Sequence, residues 1–328
     1  MKKKLQFIAK FAVSFALIWY LFSRTDLTDV YASLKSANLF WLTMAFITLY
    51  IGKVLTGYRW QKLLEAQNIF IPLRTLIASV FVGQFFNTFL PSTVGGDAVR
   101  AYDTAIYSGE STKSVTSVFA DRLIGVVALV FLAIIGIGFG LLQGEDVSFY
   151  VIPVLVVFFI CVLSFIVVFN KPLSERVQQL VRSLKINKVA DKIKQAYISL
   201  HVLRDNKAIM WIAFVISFAL QINVVFFYYF IGVSLDMNVS IFYFFIIVPV
   251  ALVILLVPFS VNGVGLREGI FVILLGNIGV PSELAIALSL LSFGLTLTQG
   301  VIGGIIFALR NLDVKSSTAQ TLADSDAK

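Results

Sequence analysis

The sequence predicts an all-α polytopic membrane protein, with about six full transmembrane helices and two re-entrant broken-helix hairpins related as an inverted repeat. Three observations carry this. Apolar residue types fill 59% of the 328 positions and charged types only 13%, with a mean hydropathy of +0.93, far from the balance of soluble domains. Apolar windows of membrane-spanning length recur along the chain. A decapeptide of helix breakers occurs twice, each copy closing an apolar run.

The first window, Leu5 to Phe22, follows Lys2, Lys3 and Lys4. It is long for the apolar region of a signal peptide, and "SRTDLTDV" behind it offers no small-x-small cleavage site, so it is expected to stay as a first helix. Further windows at 39–58, 118–142, 149–169, 208–232 and 282–309 have the roughly 18–25 residues that cross a ~30 Å hydrocarbon core. Two more, 73–90 and 240–257, run into Pro/Gly motifs.

Charge in the loops sets the orientation. The N-terminal lysines, with Lys10, and the stretch 170–207, with nine Lys/Arg against three acids, are both expected on the cytoplasmic side. An even number of crossings must separate them, yet five apolar segments do. One must enter and return, and 73–90 is the natural one. A crossing by 97–117 would restore parity too, but it would carry Asp97, Arg100, Asp103, Glu110 and Lys113 through the bilayer at roughly 2.5–3.5 kcal/mol per central charge. In the second half, 240–257 either dips in from outside while 265–279 climbs back, or both segments span; loop charge does not separate the two. The resulting organisation is a single membrane domain over 1–310 with hairpins at about 73–117 and 240–281. A basic cytoplasmic loop spans 171–207, and a disordered cytoplasmic tail covers 311–328. Within the loop, Leu173 to Leu200 alternates apolar and basic residues at helical spacing, which reads either as an amphipathic pair on anionic lipid or as a solvated tether.

The repeated decapeptide is "PSTVGGDAVR" (91–100) and "PFSVNGVGLR" (258–267). Both read proline, three residues, Gly or Asn, glycine, three residues, arginine. Entry of one hairpin from each side is what an inverted repeat with two broken helices gives. Broken backbone at membrane depth survives only where it is buried in protein or lines a wet cavity. Pro91, Gly95 and Gly96 are therefore expected to meet Pro258, Asn262 and Gly263 around a polar cavity. Helices opening at Asp97 and Val264 would present free N–H groups to an anion, and Arg100 and Arg267 would add bidentate donors suited to phosphate. A purely structural reading stands beside this one: Asp97 caps its helix, Arg100 pairs with Asp103, and Arg267 pairs with Glu268.

Other polar residues are less specific. Gln84 and Asn87 are expected to line the cavity. Asp121 and Arg122 either orient the first hairpin or mark the interface. Gln221, Asn223 and Gln299 either join helices or face the cavity, and Lys53 either snorkels or faces it. With one cysteine, Cys161, in an apolar run, and one histidine, His201, in a basic loop, disulfides and Cys/His metal sites are excluded. No metal, cofactor or nucleic acid is expected, and topology accounts for the net charge of +8.

The stretches "GYRWQKLL" (57–64), "GQFFNTFLPSTVGGDAVRAY" (83–102), "ADRLIG" (120–125) and "PFSVNGVGLREG" (258–269) resemble the transmembrane, flippase-like region of the lysylphosphatidylglycerol synthases. That resemblance covers residues 5–310 and implies a translocator of lipid. It carries to Asn87, Pro91, Gly95, Gly96, Asp97, Arg100, Arg122, Pro258, Gly263, Gly265, Arg267 and Glu268. Only 18 residues follow Arg310, so the soluble aminoacyl-transferase domain of the full synthases is expected to be absent, and with it lysine transfer. The expected ligand is an anionic phospholipid or a polyprenyl-phosphate-linked lipid in the cytoplasmic membrane of a prokaryote, with both termini cytoplasmic. Two alternatives stand beside lipid translocation: an accessory role beside a glycosyltransferase partner, and small-anion transport. Independent catalysis is not expected, since no Asp-x-Asp pair or usable histidine accompanies Asp97, Asp103, Asp121 and Glu268.

Overall fold

The computed structural model describes residues 27–89, 95–144, 147–169, 206–256 and 265–326, together with 175, 176 and 179. The expected first helix at 5–22, most of the basic loop, and Pro91, Pro258, Asn262 and Gly263 lie outside the described residues. Among the described residues there are ten helices and no strand, and the chain is an all-α, multi-pass membrane protein.

The helices fall into two similar series. A short α1 (Leu27–Ser36) precedes α2 (Leu39–Glu65), the helix pair α3 (Leu73–Phe89) and α4 (Gly95–Ser108), and α5 (Ser111–Leu142); α6 (Ser148–Phe169) follows. The second series is α7 (Lys207–Ser234), the pair α8 (Ile241–Leu255) and α9 (Leu266–Gly276), and α10 (Ser282–Asp326). Four of these are long and apolar enough to cross a membrane: α2, α5, α7 and the Ser282–Arg310 part of α10. The backbone of α10 continues through 311–326, where a disordered tail is expected from composition. At 1.5 Å per residue, the 15-residue α8 and 11-residue α9 reach only about 22 and 16 Å, short of the ~30 Å core.

The first pair folds back on itself. Asn87 meets Gly96, Gly83 lies against Arg100, and Ser79 bonds Asp103, so one index falls as the other climbs and α4 runs antiparallel to α3. This second arm ends at Ser108, not at 117, and α5 starts seven residues earlier than the apolar window at 118. Hydroxyl back-bonding accompanies this: Ser114 and Ser117 donate to the carbonyls of Glu110 and Ser114, each at 2.8 Å, so these two polar residues are buried within a continuous helix.

The two series are inverted relative to each other. Equivalent helices α2 and α7 run antiparallel along most of their length. The Asn38 N–H donates to the Ser234 carbonyl, Trp41 stacks on Phe230, Arg59 reaches Ser217, and the Ala66 carbonyl accepts from Asn206. The hairpins exchange partners in the same sense: α3 packs on α10, and α8 packs on α5. Each exchange uses a glycine with no room for a Cβ, Gly303 of α10 against the Phe81 carbonyl and Gly136 of α5 against the Phe245 carbonyl. Small residues allow this backbone approach in membranes, where apolar burial alone gives little drive to pair helices.

Candidate functional site

Where the two helix pairs meet the long helices, a cavity of about 530 Å³ opens. Arg100 and Arg267, one from each copy of the repeated motif, both line it. Lys53, Gln84 and Asn87 face it as well, and Lys53 donates to Gln84 Oε1 at 2.7 Å. Lys53 therefore faces the cavity and does not snorkel. It lies near the middle of α2, a helix of 27 residues and so about 40 Å long. A second cavity, of about 370 Å³ between Tyr150, Ser240 and Asn277, has no charged residue in its described lining. The charged cavity is the candidate site.

Asp121 is its hub. One carboxylate oxygen accepts from Arg59 Nε at 2.6 Å and the other from Arg100 Nη2 at 3.0 Å, so a single buried acid joins α2, α4 and α5. Arg59 also donates to Ser217 of α7. The Arg100 guanidinium lies 4.2 Å above the Trp60 ring, and Trp60 is itself fixed by a bond to Ser117. Arg100 Nε is buried with no hydrogen-bond partner. Nearby, Asp97 receives both Nε and Nη2 of Arg122, at 2.8 and 3.0 Å. The expected alternative pairing of Arg100 with Asp103 does not form, because Asp103 is turned to Arg310 and Ser79.

The start of α4 explains its glycines. The Gly96 N–H donates to Asn87 Oδ1 at 2.8 Å, and a Cβ on Gly96 would overlap the Gly83 carbonyl and the Asn87 amide. That N–H is thereby taken by a side chain and not left for an anion. Gly95 is the first residue of α4. In the second half, α9 opens after Gly265, whose φ of 81° suits glycine. Glu268 closes the turn, accepting the Gly265 N–H at 2.6 Å and the Ser289 hydroxyl at 2.9 Å. Its carboxylate is engaged behind the described cavity lining, with Arg267 Nη2 at 3.4 Å. Arg267 is held by Ser289 through Nε and lies over Phe293.

Arg59 is not among the expected site residues, and Asp121 is expected either to orient the first hairpin or to mark the interface; a lone arginine inside an apolar span, as in "GYRW", is the signal that points to the first. Gln221 and Gln299 donate to the carbonyls of Gly125 and Leu49 on neighbouring helices, the interhelical role. Asn223 lies beside Gly52.

A multi-pass helical membrane protein with a charged, open cavity where two pairs of shorter helices meet the long ones is thus defined. The chain belongs to the lysylphosphatidylglycerol synthase TM region family, whose model matches residues 7–304. It is similar to a UPF0104 membrane protein of Methanothermobacter thermautotrophicus, 24% identical over 295 residues, or 83% of this chain and 87% of the relative. It is also similar to a UPF0104 membrane protein of Pyrococcus horikoshii, 23% identical over 173 residues, covering 52% of this chain and 50% of that one.

Proposed function

We propose that the protein translocates a phosphate-bearing anionic lipid, or a lipid-linked headgroup, across the cytoplasmic membrane, with both of its termini on the cytoplasmic side. The observation that carries this is the charge of the cavity: in its described lining, Lys53, Arg59, Arg100, Arg122 and Arg267 stand against only Asp97 and Asp121. Cations in a low-dielectric cavity are costly unless countered, and an anionic headgroup supplies the missing charge while its chains stay in lipid. Transport is favoured over catalysis because both lining carboxylates are tied to arginines, which leaves neither poised as a general base.

The test is movement of labelled phosphatidylglycerol and labelled phosphatidylcholine between leaflets of liposomes holding the wild type or Arg267→Gln, with folding checked by melting temperature. Faster movement of the anionic lipid, reduced in Arg267→Gln, is expected. Equal movement of both lipids would remove headgroup selection by the cavity. No movement of either by folded protein would favour a role beside a glycosyltransferase or in carrying a soluble anion.

A further inference from the structure

From the charge balance of the cavity, we infer that its preferred ligand is a dianionic phosphate monoester, not a phosphodiester headgroup, and that Lys53 selects it; this rests on the anion-translocating reading above. The five cations face three carboxylates once Glu268, behind Arg267, is included. Asp97 answers Arg122, with Arg100 Nη1 farther off at 3.7 Å, and Glu268 answers Arg267. Asp121 is shared between Arg59 and Arg100 and offsets one charge of that pair. Lys53 has no carboxylate within ion-pair distance among the described residues, only the Gln84 amide oxygen. Two positive charges are therefore left over, both in the first half of the molecule.

The unused donors sit with those charges. A lysine ammonium has three protons, of which Gln84 takes one. A phosphodiester carries one negative charge and would leave one cation uncompensated at low dielectric. A phosphate monoester carries about −1.5 to −2 at neutral pH and presents three strong acceptor oxygens, which matches both the excess charge and the spare donors. The same group occurs on a lipid, as in phosphatidic acid, or free, as inorganic phosphate.

Binding to the full-length protein in detergent is measured with dihexanoyl phosphatidic acid, dihexanoyl phosphatidylglycerol, dihexanoyl phosphatidylcholine and inorganic phosphate. Wild type, Lys53→Gln and Lys53→Arg are compared, and melting temperatures confirm folding. The expected result is phosphatidic acid bound on the order of tenfold more tightly than phosphatidylglycerol, the worth of one additional compensated charge in a partly screened site. Lys53→Gln should remove that preference and Lys53→Arg should keep it. Inorganic phosphate binding as well as phosphatidic acid would support the charge assignment while making the source a solute. Equal binding of the two anionic lipids, or a preference unchanged in Lys53→Gln, would overturn the inference and leave anionic-lipid translocation standing. No binding of any anion by folded protein would overturn the translocation reading itself.

Discussion

Asp121 holds two arginines in place from opposite sides, and nothing else in the described cavity offers both of them a carboxylate. Asp121→Asn keeps the shape but leaves Arg59 and Arg100 buried and mutually repelling, so a loss of about 3–5 kcal/mol is expected, the cost of breaking a buried pair. Asp97 offers the contrast. Its bidentate partner Arg122 has a side chain 55% exposed, and its contact with the buried Arg100 is long, at 3.7 Å, so Asp97→Asn should cost about 1 kcal/mol, well below the loss at Asp121. Thermal unfolding in detergent decides it: a large fall in melting temperature for the first variant and a small one for the second. Equal falls would mean that Asp121 is not the hub. At this scale the sequence shows the residues beside each break, since Gln84, Asn87, Arg100 and Arg267 are marked by local motif and all reach the cavity. Arg59 is less legible, because its partner is 62 positions away and no local pattern encodes that contact. Glu268 stands three residues after Gly265, the spacing at which a carboxylate closes a helix start, so its engagement was readable from local spacing.

Between elements, the exchanged hairpins depend on two glycines. A valine at Gly136 or Gly303 would meet the Phe245 or Phe81 carbonyl, backbone that cannot rotate away. Each substitution should destabilise by at least the ~1–3 kcal/mol of an overpacked core site. Gly138, two residues along α5, and Gly294 on α10 have open space around them, so Gly138→Val and Gly294→Val should leave the melting temperature nearly unchanged. If all four behaved alike, the close approach of α3 to α10 and of α8 to α5 would be wrong. Helix existence was legible, because runs of apolar residues at spanning length have few other solutions. Helix ends were less so: hydropathy averages away the seven-residue, hydroxyl-rich start of α5, where the buried Ser114 and Ser117 bond carbonyls of their own chain.

At the scale of the molecule, the antiparallel α2 and α7 with their swapped hairpins suggest how a headgroup would change sides. In inverted repeats one half rocks against the other around a fixed site, so α3 should move against α10. That contact can be locked. The Cβ of a residue at 300 would lie 3.3 Å from the Thr88 Cβ, close to the ~3.5–4.5 Å of a disulfide. Thr88→Cys with Gly300→Cys, in a Cys161→Ala background, should therefore crosslink under oxidant with a shift of a few tenths of an ångström. If the halves rock, the oxidised protein loses lipid movement but keeps anion binding, and a reductant restores transport, whereas Thr88→Cys alone treated identically is unaffected. Because the cavity's charges sit on both sides of the bond, binding and movement are expected to part company only if motion between the halves carries the ligand. An oxidised double variant that moves lipid at the reduced rate would instead leave the cavity as a fixed groove along which headgroups slide.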